Sequence, residues 1–194
     1  RISRVTYMDA NKKRLTLPNT HICYLQREYD ARGNKTKEAY FDDKDQPTMS
    51  NEGIAMACYE YDENGNEITR SFYNTKGKPC VLNGFCARWE FMYDEQGNCI
   101  SYRYKNTDGK LMLVNGIAGY NWSFDARGNK QKVYPIGLNG GLASGKYDER
   151  LKYDERDNVI ERSYFNAGGT PVSCEGGYHK VLMKYNSNNQ CIQE

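Results

Sequence analysis

The sequence has no long apolar run, few histidines and no concentration of charge of one sign. No stretch approaches the roughly 18 apolar residues of a membrane-spanning segment, so membrane insertion is not expected. Lysine and arginine number 27 against 25 aspartate and glutamate, and the densest basic run is only Lys12-Lys13-Arg14. Because nucleic-acid binding relies on a basic stripe, no nucleic-acid partner is expected either.

The cysteines lack the pattern of a disulfide framework or a zinc site. There are seven of them, they form no CxxC pair, and disulfide frameworks favour an even number at matched spacings. We expect mostly free thiols, with one or two disulfides left open. A signal peptide is absent and the chain starts at Arg1, so we expect a processed form or an excised piece. A secreted or cell-surface location is favoured, and the unpatterned cysteines leave the cytoplasm open.

The composition is polar but rich in aromatic residues. Hydrophobic residues make up 38% of the chain and the mean hydropathy is −0.90, while aromatics reach 13% with 17 tyrosines. Disordered chains are poor in aromatics, so disorder is not expected. A thin, elongated fold of stacked repeats reconciles the two observations.

An aromatic residue recurs along the chain at a nearly fixed spacing. These marker aromatics are separated by 32, 32, 31, 29 and 32 residues: Tyr29, Tyr61, Tyr93, Phe124, Tyr153 and Tyr185. Four residues after each marker stands glycine, or Asp157 or Asn189 in the last two copies. A fixed period of this size predicts a repeat architecture.

Each repeat is predicted to be a β-hairpin. In the third copy, Phe85 to Tyr93 alternate between apolar and other residues, as in a half-buried strand. The following Asp94-Glu-Gln-Gly97 predicts a type I turn closed by a glycine bulge. A second turn such as Asn106 to Gly109 follows, and then a short third strand such as Cys80 to Leu82. We therefore predict an all-β fold, an elongated array of about six hairpin repeats that forms a coiling antiparallel sheet or an open β-solenoid.

The period leaves no obvious domain boundary, so a single repeat domain over residues 1–194 is predicted. Missing half-repeats at both ends suggest either caps or a cut from a longer array. The predicted parts are a degenerate N-terminal part-repeat at 1–28, repeats at 29–60, 61–92, 93–123, 124–152 and 153–184, and a C-terminal part-repeat at 185–194.

The motif Tyr-Asp-x-x-Gly-Asn resembles the YD repeats of the RHS/YD family, which are large bacterial shell and surface proteins. It stands at 29–34, 61–66 and 93–98, with a near copy at 124–129. The likeness covers nearly the whole chain and implies a β-hairpin repeat architecture. This chain has Asn after the glycine and a period of about 32, where the family usually has Arg-Leu and a period nearer 20.

Candidate chemistry outside the repeat is sparse. The segment 140–146 matches the spacing GxxxxGK of a phosphate loop, but Tyr147 replaces the Ser or Thr that binds Mg²⁺. The two histidines, His21 and His179, are too few for a typical zinc site. Calcium binding by the turn aspartates is an alternative, although each turn offers fewer oxygens than calcium prefers. No metal, cofactor or catalytic residue is therefore predicted.

Three large aromatics are the candidate ligand-binding residues: Trp89, Tyr120 and Trp122. Aromatic side chains often form binding surfaces for proteins and sugars. Trp89 and Tyr120 share one strand position, four before the marker, and Trp122 lies two before it. All three fall on the apolar parity of the first strand, so packing in the core is the competing interpretation.

The sequence favours a non-catalytic binding or scaffolding module of a larger bacterial surface or secreted protein, which engages protein or glycan along its repeats. A purely structural spacer or shell segment is the alternative. Exposed aromatics vary between copies, which favours scaffolding or protein contact over a regular glycan ladder. An enzyme would need polar residues that break the repeat and converge, and the degenerate stretch Val133–Arg150 is where they would lie. The oligomeric state stays open.

Overall fold

The computed structural model describes residues 1–18 and 20–193 of the chain. Within these residues there are strands and turns but no helix. The strands are β1 (Ile2–Thr6), β2 (Tyr24–Tyr29), β3 (Lys35–Phe41), β4 (Met56–Tyr61), β5 (Glu67–Tyr73), β6 (Arg88–Tyr93), β7 (Cys99–Lys105), β8 (Gly119–Phe124), β9 (Lys130–Ile136), β10 (Asp148–Tyr153), β11 (Val159–Phe165), β12 (Lys180–Leu182), β13 (Lys184–Tyr185) and β14 (Cys191–Gln193). A search of the described residues for a helix that could cross a membrane finds none.

The strands follow one another in the sheet in the order of the sequence. β1 to β12 belong to one sheet, and β13 and β14 pair separately. The pairings are antiparallel, as in a series of hairpins. The predicted all-β fold of successive antiparallel hairpins is therefore confirmed. The chain divides into two compact units, residues 1–91 with 104–112, and residues 92–103 with those from Leu113 onward.

The first turn of each repeat has the predicted geometry. In the second copy the register of β4 and β5 shifts between Glu60 and Tyr61, which marks a bulge at the marker aromatic. Gly65 closes the turn with a φ of 87°, a conformation that glycine adopts without a steric penalty. Asp157 and Asn189 take the same place with φ of 64° and 59°. Aspartate and asparagine tolerate this conformation better than most residues other than glycine, so both can close the turn.

The second turns are held by a side-chain acceptor at their first position. The Asn106 Oδ1 atom accepts hydrogen bonds from the amides of Asp108 and Lys110, at 3.0 and 2.9 Å. Asp9 does the same for Asn11 and Lys13 near the start of the chain. The degenerate N-terminal part-repeat therefore keeps a second turn with the same hydrogen bonds.

The predicted third strand is wrong as a continuous strand. In the repeat at 61–92 the segment forms only isolated bridges, which join Pro79 to Tyr73 and Leu82 to Cys86. Proline has no N–H with which to extend a ladder, and a tight turn at Asn83 and Gly84 follows directly, with φ of 45° and 73°. The segment is therefore too short to form a strand between its two turns.

The core of each unit lies just before a long strand, where a tight turn such as the one at Asn83 and Gly84 leads into that strand. In the first unit the residues seven and six before the marker are buried, as in Ile54 with Ala55 and Cys86 with Ala87. In the second unit Ile117, Ala118 and Ile136 are 8%, 0% and 0% exposed. Small alanine side chains allow the turn segment to pack closely on the strand. Most other residues of the hairpins are half-buried or exposed, with buried exceptions such as Phe72 and Asp148.

Candidate functional site

Trp89, the first of the predicted ligand-binding residues, packs against other aromatics in the first unit. Its ring lies edge-on to Phe72 and Phe91, with centroids 5.9 and 6.2 Å apart. The Arg70 guanidinium lies 5.0 Å from the Trp89 ring, within cation–π range. The indole Nε1 is buried and has no hydrogen-bond partner among the described residues. This side chain is part of a half-buried aromatic cluster.

Tyr120 and Trp122 lie together on β8 in the second unit. Their rings are stacked, with centroids 5.7 Å apart and planes 3° apart. Tyr102 on β7 contacts both rings at 5.7 and 5.4 Å, and Lys130 Nζ is 4.8 Å from the Trp122 ring. The structure therefore brings two of the three candidates into one cluster. Whether these residues bind a ligand stays a prediction.

The second unit has a polar cavity of about 500 Å³ between β8, β9, β10 and a second turn. Six polar side chains line it: Asn121, Ser123, Lys132, Tyr134, Asp148 and Arg150. The turn residues 167–169 lie at the same cavity. We call this feature the Asp148 cavity. Several of these residues fall within or beside the degenerate stretch Val133–Arg150 that the sequence marks out.

Asp148 is the most buried ionisable group of this cavity, with 3% of the residue exposed. Its Oδ2 accepts a hydrogen bond from Arg150 Nη2 at 3.0 Å and pairs with Lys132 Nζ at 3.2 Å. The other oxygen, Oδ1, is buried and has no hydrogen-bond partner among the described residues. Two cations and one anion give the group a net charge of +1. A buried acceptor without a donor is costly, so Oδ1 makes Asp148 an energetically unfavourable residue of this strand.

The alternation of side chains along the strands decides which residues share the cavity face. Ser123 lies opposite Lys132 in the β8–β9 pair, and Trp122 lies opposite Val133. Because neighbouring residues of a strand point to opposite faces, Ser123 and Trp122 lie on different sides of the sheet. Trp122 therefore borders the cavity through its main chain. Its ring packs with Tyr102 and Tyr120 on the other side of the sheet.

The cavity exists because one repeat position lacks a fixed side-chain type. Five residues before the marker stand Tyr24, Met56, Arg88, Gly119, Asp148 and Lys180. Tyr24 fills its place by stacking on Phe41 at 4.8 Å, with the Arg4 guanidinium 3.4 Å from the ring. Asp148 is smaller, and the turn beside it carries Ala167, Gly168 and Gly169. Space therefore remains between Asp148 and this turn.

The corresponding place five residues before Tyr93 is filled more completely. There Arg88 takes the position of Asp148, and the cavity holds only about 120 Å³. Phe72 and Pro79 are among the residues that line it. The Asp148 cavity therefore depends on Asp148 and on the small residues of the turn at 167–169. It is not a constant feature of the repeat. The sequence gives no signal for this cavity, because the residue at this position differs in every copy.

The carboxylates of the first turns are occupied within their own turns. The Asn66 carboxamide donates to Asp62 Oδ2 at 2.9 Å, and this bond lowers the pKa of the Asp62 carboxyl. The amides of Asn64 and Asn66 donate to the other oxygen of Asp62. Asp94 and Asp154 are held in the same way by Asn98 and Asn158, which lower their pKa values. No cluster of three or more metal-ligating side chains occurs in the described part of the chain.

Successive first turns of the second unit are linked by side chains. Arg127 donates to the Asp154 carbonyl at 2.8 Å, and Arg156 donates to the Ser187 carbonyl at 3.1 Å. Asn129 also donates to Asp157 Oδ1 at 2.6 Å. We call these contacts the turn ladder. They tie each hairpin end to the next, which opposes independent movement of the hairpins.

The remaining sequence candidates lie apart from the Asp148 cavity. His21 is exposed in the first unit, whereas His179 Nδ1 lies 2.8 Å from the Tyr164 carbonyl in the second. The segment 140–146 forms turns, with φ of 78° at Gly140 and 69° at Gly145, and no helix follows it in the described residues. All seven cysteines are free thiols.

Comparisons with known proteins find similarity in structure but not in sequence. No protein-family profile matches the chain, and no curated protein matches it. Among solved structures 34 chains match. One is a chain of the crystal structure of TcdB2-TccC3-TEV, with a TM-score of 0.55 and 13% identity over 97% of this chain. This chain spans only 9% of that chain's length. The likeness shows a shared fold of β-hairpins, and it fits the repeat architecture that the YD-type turns imply.

Proposed function

We propose that this chain is a non-catalytic binding module on a hairpin-repeat scaffold, and that it belongs to a larger bacterial surface or secreted protein. A protein or a glycan is the proposed ligand. The resemblance of the turns to YD repeats supports this setting. The shared fold with a much longer chain supports a role as one repeat-containing segment.

The observation that carries the proposal is the unused hydrogen-bonding capacity of the Asp148 cavity. Turn aspartates such as Asp62 are already hydrogen-bonded within their turns. Asp148 differs, because it holds Lys132 and Arg150, whose side chains are 40% and 44% exposed at a cavity large enough for a ligand. Polar groups that converge on a concave surface are typical of a binding site.

The composition of the cavity supports binding rather than catalysis. Its lining residues include one carboxylate and neither histidine nor cysteine. Most glycoside hydrolases use a pair of carboxylates. A serine nucleophile such as Ser123 would need an adjacent base with a group to orient it, and histidine is the usual base. The cavity therefore offers recognition groups without a recognisable catalytic set.

The turn ladder favours a second candidate, a purely structural spacer or shell segment. Such a segment needs hairpins that are fixed to one another, and the contacts of Arg127 and Arg156 with the next turn provide that. A spacer does not need an unfilled polar cavity. The cavity is therefore the feature that distinguishes the two candidates.

A binding screen tests the proposal. The chain is immobilised and exposed to a glycan array and to a panel of purified bacterial surface proteins, and binding is measured by biolayer interferometry. We expect saturable binding without turnover of the ligand, which mass spectrometry of the recovered ligand checks. Turnover would refute the non-catalytic role, and absence of any saturable binding would leave the spacer. Binding retained in Trp89→Ala and Trp122→Ala would exclude a role for those two rings.

A further inference from the structure

We infer that the cavity between the first turns at 94–98 and 124–128 binds an arginine side chain of a partner protein. We call it the Gln96 cavity. It shares no lining residue with the Asp148 cavity, so the inference goes beyond the function proposed there. In this assignment the guanidinium of the partner donates to the Ala126 carbonyl and pairs with the Asp125 carboxylate. The chain's own contacts between turns show what such a pair of turns can hold.

Arginine three residues after a marker aromatic donates to a main-chain carbonyl of the next first turn. Three copies carry arginine at this place, and each of them makes the contact. The donor and acceptor pairs are Arg32 with Glu63, Arg127 with Asp154, and Arg156 with Ser187. Because the acceptor is a carbonyl, the contact does not require a particular side chain in the turn that receives it. Two successive first turns therefore form a receptor for a guanidinium.

Gln96 stands at this place in the copy that begins at Tyr93, so the chain supplies no arginine there. The Gln96 side chain is exposed and makes no hydrogen bond to another described residue. The carbonyl two residues after the next marker, the place of Glu63 and Ser187, belongs to Ala126. Ala126 is exposed, and no donor among the described residues reaches its carbonyl. The acceptor is therefore available to a donor from another molecule.

The space is large enough for a guanidinium and its aliphatic stem. The Gln96 cavity holds about 530 Å³, within the range of cavities that bind ligands. Asp94, Gln96 and Asn98 line one side of it, and Phe124 with the turn 125–128 lines the other. The cavity at the same place in the first unit holds about 450 Å³, and Arg32 is among its lining residues. The chain itself thus provides the arginine in the first unit and omits it here.

The charge of the cavity favours a cation. Asp94 and Asp125 both line it. Hydrogen bonds from Asn98 lower the pKa of the first carboxyl, and hydrogen bonds from Asn129 lower the pKa of the second. Arg127 is the cation of the lining, and two carboxylates with one guanidinium give a net charge of −1. A guanidinium from a partner therefore meets an excess of negative charge.

A guanidinium suits the site better than an ammonium group. Arg127 Nη2 donates to the Asp154 carbonyl at 2.8 Å while Nη1 pairs with Asp157 Oδ1 at 2.9 Å. One planar group thus reaches a carbonyl and a carboxylate together, which a compact ammonium does less readily. The Ala126 carbonyl and the Asp125 carboxylate are acceptors of the same two kinds. The Asp125 side chain is 17% exposed, and three hydrogen bonds reach its roughly four acceptor positions, so one position remains for the ligand.

The test is a set of NMR titrations of ¹⁵N-labelled protein at constant ionic strength with Nα-acetylargininamide, Nα-acetyllysinamide and calcium chloride. We expect saturable binding of the arginine compound and about fivefold weaker binding of the lysine compound. Shifted amides should include Gln96 and Arg127, because the Arg127 N–H belongs to the same peptide group as the Ala126 carbonyl. Equal binding of the lysine compound would mean general attraction of cations and would overturn the assignment. Tighter binding of calcium with the same shifts would overturn it as well.

Gln96→Arg places an arginine of the chain itself in the cavity. It should weaken binding of the arginine compound at least about tenfold, because the new side chain occupies the Ala126 carbonyl. Gln131→Arg is the matched control, since it adds the same charge on β9 outside the lining of the cavity. It should change the affinity by less than about twofold. Unchanged binding in Gln96→Arg would overturn the inference.

Arg156→Gln gives an independent test that leaves the Gln96 cavity intact. It removes the donor to the Ser187 carbonyl and should open a second site of the same kind. The arginine compound should then shift the Asn188 amide in addition to the first set of amides. The absence of a second set of shifts would overturn the view that the turn carbonyl attracts a guanidinium. This variant also serves if Gln96→Arg does not fold.

The outcomes separate this inference from the proposed function. The arginine compound should bind whether or not a ligand occupies the Asp148 cavity, because the two sites share no lining residue. If the arginine compound binds while no glycan and no surface protein does, the inference stands and the proposed function fails. If a glycan or a protein binds at the Asp148 cavity while the arginine compound does not bind at all, the inference alone fails.

Discussion

Gly119 provides the sharpest test of the packing between β7 and β8. It is buried opposite Arg103, and its φ is 144°. A Cβ atom added there would lie 2.0 Å from the Tyr102 carbonyl oxygen and 3.0 Å from the Arg103 Cα. Both neighbours are main-chain atoms, so the strands must separate to accommodate it. Gly119→Ala should therefore destabilise the second unit strongly.

The magnitude follows from two contributions. An L-residue in this region of φ costs about 1–2 kcal/mol. Separation of the strands weakens about two ladder hydrogen bonds near Gly119, each worth about 1 kcal/mol net. We expect Gly119→Ala to lower the free energy of unfolding by about 3–4 kcal/mol. Gly128→Ala is the matched control, because Gly128 has a φ of 87° and nothing within 4 Å of an added Cβ. It should cost about 1–2 kcal/mol.

The assay is guanidinium chloride unfolding in a Trp89→Phe background. Trp122 lies on β8 in the second unit, so its fluorescence then reports on the unit that contains both glycines. The difference between the two variants should be about 2 kcal/mol, from the lost ladder bonds. If Gly119→Ala costs no more than Gly128→Ala, the close approach of β8 to the Tyr102 carbonyl is refuted.

Three further predictions concern stability and reactivity. Phe72→Ala should lower the free energy of unfolding of the first unit by about 3–5 kcal/mol, because the side chain is 3% exposed and its removal leaves a cavity. Denaturant unfolding measures this loss of stability, and a loss near zero would contradict the packing of Phe72. Asp62, Asp94 and Asp154 have pKa values below the ordinary 3.8. Their contribution to stability is therefore present above pH 3.8 and is lost as the pH falls through the lower pKa values of the folded state. Melting curves across this range should show a smaller loss of stability in Asp62→Ala than in the native chain. Equal losses of stability would exclude the Asp62 turn as a cause. Burial raises the pKa of the Cys86 thiol to about 12, so iodoacetamide at pH 8 should label the exposed Cys191 long before Cys86. Mass spectrometry of timed samples measures the two labelling rates. Equal rates would contradict the burial of Cys86.

The turns could be predicted from the sequence because their causes are local. The Asp62 carboxylate accepts from residues two and four positions ahead, and Gly65 is needed for one backbone conformation. A pattern of six residues contains all of this information. The hairpin register follows from the turn, so the strands on either side could also be placed.

The Asp148 cavity could not be predicted because its parts come from distant segments. Lys132 on β9 pairs directly with Arg150 on the neighbouring strand β10, although they are distant in sequence. The turn at 167–169 comes from the next part of the chain, after β11. The sequence analysis followed the apolar parity of the first strand, which led to Trp89, Tyr120 and Trp122. Asp148 lies on the other parity, where charged residues are ordinarily solvent-exposed. Only the structure shows that this aspartate is buried.

The turn ladder connects positions by their place in the repeat rather than by their identity in the chain. Arg127 reaches the main-chain carbonyl of the next turn, and Arg156 does the same one copy later. Any copy with arginine at that place can therefore join any copy that follows it, since a carbonyl is always present. Duplication or loss of one whole repeat keeps every rung aligned, and a rung forms whether its donor and acceptor lie 27 or 31 residues apart. Arrays of this kind can thus change in length by recombination without losing the contacts that join their hairpins.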